Sequence, residues 1–221
     1  MAKRNDSGIE ILRSHHSGDL IMAALSKTQG ITVLAHQAIT HPATVVGTAQ
    51  DVTTKFAATV YLYHASIEAT ANTNPGKFLV QTTPSATGND DWTTVYEFDA
   101  TISTADTQAM TATEPVGETV LAVTDTTGFA AYDKLYIQHS TLANSEWRIC
   151  KEIVTSTSID LVDGLTNEQT SSSVIWNDAD LWVCALDLTS VGRIRVLFMS
   201  EGAVGANVHI MALMSTGDSI S

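Results

Sequence analysis

Seven histidines, 24 acidic side chains and two cysteines are the groups through which this 221-residue chain would bind a metal or move a proton. Their spacing argues against both. His15 and His16 are adjacent, and neighbours on an extended strand point to opposite faces, which makes a poor chelate. His36, His41, His64, His139 and His209 fall singly in strands and turns; His64 and His209 have apolar neighbours, so a hydrogen-bonded histidine in a core or interface is the expected role. Asp90-Asp91 and Asp178/Asp180, beside Asn89 and Asn177, offer oxygens to a calcium ion, which takes about six to eight of them. Neither stretch has the spaced Asp/Asn pattern closed by a Glu, so turn formation by the Asn and Asp side chains is expected instead. Cys150 and Cys184 are too few and too far apart for a paired Cys-x-x-Cys zinc site. Each lies in an apolar strand pattern and is read as a buried free thiol in a chain made in a reducing cytoplasm; a disulfide between them stays open.

Covalent and cofactor chemistry find no better footing. The chain has no His-Glu-x-x-His, Gly-x-x-x-x-Gly-Lys, Gly-x-Gly-x-x-Gly or Gly-x-Ser-x-Gly. A glycosidase pair would have to be assembled from distant carboxylates, none of which is singled out by the sequence. Trp92, Trp147, Trp176 and Trp182 have faces suited to stacking sugars, but as strand residues they more often anchor cores. Asn5-Asp-Ser7 matches the glycosylation triplet by chance. The expectation is a protein that is not an enzyme and needs no cofactor or metal.

The composition narrows the partners. A hydrophobic fraction of 44% and a charged fraction of 16% describe an ordered globular chain with a surface rich in Thr, Ser, Ala and Asn. A net charge of −13 argues against nucleic acid, whose phosphates require a basic face. No Lys or Arg occurs between Lys77 and Lys134 or between Lys151 and Arg193, whereas Lys3, Arg4, Arg13 and Lys27 open the chain. No run of 18 apolar residues predicts a membrane span, and the first residues lack the apolar core of a signal peptide.

The elements that would position these residues are strands. Residues 1–30 are read as an N-terminal arm with a short apolar patch at 20–25, either a capped helix or an extended latch. From Ile31 the apolar period is two: 31–39, 56–68, 78–82 and 92–98 alternate, with Trp92, Thr94, Tyr96 and Phe98 expected on one face. Residues 100–114 read as a Thr-rich connection. Between 115 and 179, short strands near 119–123, 134–138, 147–154, 158–162 and 174–176 suggest a small barrel-like module, with Asp163-Gly164 as a hairpin signal. Strands at 181–188, 193–199 and 207–214 then complete the scaffold. The last has apolar residues on both faces, as a core strand or a subunit contact requires.

The expected fold is therefore all-β: an antiparallel β-sandwich of jelly-roll or immunoglobulin-like kind, split into 31–114 and 180–221 around the inserted module 115–179, with the arm 1–30 in front.

Val123-Thr-Asp-Thr-Thr-Gly-Phe129, Asp133-Lys-Leu-Tyr-Ile137, Glu146-Trp-Arg-Ile and Ser158-Ile-Asp-Leu resemble a small β module of tailed-bacteriophage virion proteins. Arg193-Ile-Arg-Val-Leu-Phe and Gly205-Ala-Asn-Val-His-Ile resemble the closing hairpin of phage structural sandwiches. Among these proteins the chain is most similar to capsid decoration (cement) proteins. The resemblance covers about half of the chain and is one of style, without an invariant signature. It implies a virion protein, made in the host cytoplasm, that binds the major capsid protein as a homotrimer on the outer capsid surface and bridges its subunits. It also implies a contact surface drawn from Arg13, Leu20, Ile21, Met22 and Leu25 of the arm and from Met211 and Met214. The alternative is a phage tail or baseplate protein whose module binds a host surface glycan.

Overall fold

A computed structural model of the protein describes residues 27–67, 76–88, 91–100, 106–200 and 207–218. The apolar patch at 20–25, Arg13, most of the turn at 72–76, Asp90 and the last three residues lie outside the described residues. The strands are β1 (Lys27–Thr40), β2 (Ala43–Val46), β3 (Gln50–Asp51), β4 (Lys55–Ser66), β5 (Lys77–Thr83), β6 (Thr93–Asp99), β7 (Thr107–Ala109), β8 (Val120–Ala122), β9 (Lys134–Gln138), β10 (Glu146–Val154), β11 (Ser158–Leu161), β12 (Val174–Trp176), β13 (Ala179–Asp187), β14 (Arg193–Ser200) and β15 (Asn207–Asp218). Among the described residues the one helical piece is a 3₁₀ turn, Leu142–Asn144.

Two antiparallel sheets face each other, in the orders β1-β15-β4-β13 and β2-β14-β5-β6, with β3 also paired to β14. The chain is an all-β sandwich. Strict alternation builds it: in β14, Ile194, Val196 and Phe198 point inward and are fully buried while Arg193, Arg195, Leu197 and Met199 point outward. Ala58, Val60 and Leu62 of β4 and Val208, Ile210, Ala212 and Met214 of β15 close the same core from the opposite sheet. Gly47 runs where the two sheets come close; a Cβ there would stand 2.2 Å from the Val33 carbonyl oxygen, so only glycine fits.

A third, six-stranded sheet has the order β7-β12-β9-β10-β11-β8 and its own core of Met110, Leu121, Leu135, Ile137, Cys150, Ile159, Leu161 and Ile175. Three expectations change here. Thr107–Ala109, read as part of a connection, pairs with β12 and forms the sheet edge. Asp163-Gly164 is not a hairpin: β11 and β12, which flank it, are not neighbours, and Gly164 instead packs against the Gly117 backbone. In β6, a bulge opposite Val80/Gln81 reverses the alternation, so Thr94 sits level with Gln81 and Tyr96 with Val80. Trp92 therefore lies on the outer face under Arg193 and Arg195, while Tyr96 and Phe98 face the sandwich side.

Candidate functional site

The six-stranded sheet packs on the outer face of the β1-β15-β4-β13 sheet through a third buried cluster. Tyr136 and Trp147, level with each other on β9 and β10, meet Ala65, Ala179, Tyr63 and Met211 of the sandwich, with Trp176 at the margin. Polar contacts fasten the joint. The Tyr136 hydroxyl lies 2.7 Å from Nδ1 of His209 and 3.2 Å from Nε2 of His36, and the Trp147 indole N–H donates to the His64 carbonyl at 3.0 Å. The rings of His36 and Trp147 are 4.9 Å apart, and those of Tyr136 and Trp147 4.7 Å apart. Burial lowers the pKa of both His36 and His209 to about 4, the neighbouring His36 adding to the effect at His209, and burial raises that of Tyr136. At neutral pH this is an uncharged hydrogen-bonded knot that holds layers together. The sequence hid it: Tyr136 points away from the core of its own sheet, where an isolated module would leave it wet.

A second group of polar residues closes one end of the sandwich. His64 is fully buried, stacks on Phe198, and has Nδ1 3.6 Å from Oδ2 of Asp180. His41 is hydrogen-bonded to the Ser200 hydroxyl, and both are buried. A serine–histidine contact is the first element of a nucleophilic relay, but these side chains lie sealed between sheets. Asp178 and Asp180, read as turn residues, are buried as well. Among the described residues no group of three or more His, Cys, Asp or Glu is placed to hold a metal ion.

The third feature is a groove of about 150 Å³ between the six-stranded sheet and the edge of the sandwich. Tyr63, Trp147, Ile149 and Leu181 form its apolar lining, and Lys134, Arg148 and Asp163 its polar one. Arg148 pairs with the buried carboxylate of Glu146, which also accepts hydrogen bonds from Thr166 N–H and Oγ1 at 2.9 and 2.8 Å, Asn167 N–H at 3.2 Å and the Gln169 amide at 2.8 Å. Glu146 thereby pins Thr166, Asn167 and Gln169 to β10.

The residues expected to form a contact surface divide. Arg13, Leu20, Ile21, Met22 and Leu25 lie outside the described residues. Met211 is half-buried against the joint, and Met214, 1% exposed, belongs to the sandwich core, out of reach of any partner. Its parity on β15, shared with Ile210 and Ala212, puts it there. Among the described residues, none covers the outer face of the β2-β14-β5-β6 sheet.

No protein-family model matches the chain, and no curated protein does. A solved structure of infectious bursal disease virus, Gt strain, holds a chain similar over 96% of this one, at 9% identity and a TM-score of 0.23. That similarity is too low to assign a common fold, and the match spans about half, 48%, of the viral chain.

Proposed function

We propose that this chain is a non-enzymatic virion structural protein, a capsid decoration protein of the tailed-bacteriophage kind that binds the major capsid protein on the outer shell and bridges its subunits as a homo-oligomer, a trimer by the resemblance. The observation that carries the reading is the contrast between the two outer faces of the sandwich. One is covered by the third sheet; the other, among the described residues, presents a pleated surface with Val46 54% exposed and Leu79, Leu197 and Met199 half-buried. Burying such a surface contributes about 25 cal/mol per Å² of apolar area before the costs of association. Oligomeric attachment raises avidity without new contacts.

The test is co-sedimentation with capsids assembled from the major capsid protein. Full-length protein should bind and raise the shell's melting temperature. A chain lacking residues 1–26, which ends short of β1, should stay folded and lose binding if the arm is the latch. No binding by the full chain would reject the reading.

A second reading is favoured by the groove. Tyr63 and Trp147 beside Lys134, Arg148 and Asp163 combine aromatic rings with hydrogen-bonding groups as a site for a single sugar ring would, which fits a tail or baseplate protein that holds a host glycan. Glycan-array binding lost in Tyr63→Ala would support it.

A further inference from the structure

We infer that the groove between the six-stranded sheet and the sandwich edge is a site for one uncharged sugar ring, held against Tyr63 by the side chains of Lys134, Arg148 and Asp163. The inference rests on the second reading above, that the groove holds a sugar. It names the class of sugar and does not depend on where in a particle the chain sits.

The walls are set by the strands. Tyr63 and Leu181 stand level on β4 and β13, and Lys134 and Ile149 stand level on β9 and β10. Asp163 follows Val162, whose N–H donates to the Ile149 carbonyl at 2.9 Å. It precedes Gly164, packed so closely on Gly117 that a Cβ would stand 2.5 Å from the Gly117 carbonyl oxygen. Trp147 is 8% exposed, gives its indole N–H to the His64 carbonyl and touches the rings of His36 and Tyr136. It therefore backs the wall, 5.4 Å from the Tyr63 ring, and half-buried Tyr63 is the aromatic residue of the lining with surface to offer. A volume of about 150 Å³ lies below the roughly 300–1,000 Å³ of sites for drug-sized ligands, and suits a single ring.

Arg148 carries the argument for a polar ligand. One terminal nitrogen of its guanidinium pairs with Glu146, and the other donates to the Trp147 carbonyl at 2.8 Å. Its Nε is buried and has no hydrogen-bond acceptor among the described residues. Buried donors are nearly always satisfied, so an orphan donor on a groove-lining side chain calls for an oxygen from outside the chain. Lys134 and Asp163 are exposed, and among the described residues their side chains make no hydrogen bond or ion pair. The ammonium and the guanidinium only donate and the carboxylate only accepts; a hydroxyl, which does both, answers all three. Tyr63, Ile149 and Leu181 then meet the C–H face of the ring.

The charges of the lining cancel. Arg148 is matched by Glu146, and the rim adds one cation, Lys134, and one anion, Asp163. Burial, and after it the neighbouring Tyr61, raise the pKa of the Tyr63 hydroxyl, which is therefore uncharged. An acidic sugar would gain from Lys134 and be repelled by Asp163. A purely apolar ligand would seal in the Arg148 Nε without an acceptor. An uncharged ring bearing hydroxyls meets neither cost.

The experiment is a ligand-observed NMR titration of the full chain with free glucose, galactose, mannose and N-acetylglucosamine, set beside glucuronic acid and N-acetylneuraminic acid, at low and high salt. At least one uncharged sugar should bind, with an affinity that salt leaves unchanged. Tyr63→Ala should abolish binding. Lys134→Ala and Asp163→Ala, both at exposed positions, should each weaken it by about tenfold. Arg148→Lys keeps a cation beside Glu146 and removes the Nε donor, and should weaken binding by a similar factor; if that variant fails to fold, the two exposed positions decide. Binding of the acidic sugars alone, lost in Tyr63→Ala and at high salt, would overturn the inference and leave the groove reading standing. Uncharged sugars held equally well by Lys134→Ala and Asp163→Ala would overturn it too. A glycan-array signal lost in Tyr63→Ala, with none of the six sugars bound, refutes the single ring and keeps the groove reading. A blank array together with six blank titrations removes both.

Discussion

The Tyr136 hydroxyl and Nδ1 of His209, 2.7 Å apart, join two layers that share no strand: Tyr136 belongs to the six-stranded sheet and His209 to the sandwich. Both are buried, so neither polar atom has water to fall back on. Tyr136→Phe keeps the ring and removes the hydroxyl, leaving the imidazole of His209 unsatisfied. The expected loss is about 1–3 kcal/mol. For a chain of this size that lowers the melting temperature by roughly 2–4 °C per kcal/mol. Differential scanning calorimetry checks it; an unchanged melting curve would mean that the bond contributes nothing.

The same knot predicts an acid-sensitive joint. Unfolded imidazoles titrate near 6.5, while His36 and His209 in the folded protein titrate at about 4 because burial disfavours their charged form. Between these values the unfolded chain holds more protons, so stability falls as pH is lowered through this window; above about 6.5 these two groups give no pH dependence. Urea midpoints measured across the window should decline for wild type. A His36→Gln/His209→Gln variant should show a shallower decline, and equal slopes would refute the assignment.

Much of the sandwich was legible because half-buried strands write their faces into the sequence. Ile194-x-Val196-x-Phe198 and Val60-x-Leu62-x-His64 predict their own orientation. What was illegible depended on partners far along the chain. Trp92 could not be placed without knowing that β6 bulges beside Val80 and Gln81. His36, Tyr136 and His209 come from three separate strands and carry no local motif. Thr107–Ala109 has too little apolar pattern to declare a strand, and only its pairing with Val174–Trp176 makes it one.

Glu146 offers a sharper test of local architecture. Its carboxylate accepts from the Thr166 and Asn167 backbone N–H groups and from two side chains, and it pairs with Arg148. Glu146→Gln cannot accept at both oxygens and leaves the Arg148 charge in a largely buried site. A loss of about 3–5 kcal/mol is expected, in the range for breaking one side of a buried pair. Hydrogen exchange should quicken first at Thr166 and Asn167, before any change in the sandwich strands.

Cys150 sits in the core of the six-stranded sheet and Cys184 in the sandwich core, so they lie in separate cores and are both free. Burial pushes each thiol up to about 11, and Asp133, Asp160 and Glu152 add to the effect at Cys150. The thiolate is the reactive form, and at pH 8 it is scarce at both sites. Native protein should therefore react slowly with a disulfide reagent, whereas denatured protein should release two equivalents promptly. Fast labelling of one thiol in the folded protein would contradict its burial and reopen the case for cysteine chemistry, which these cores otherwise deny.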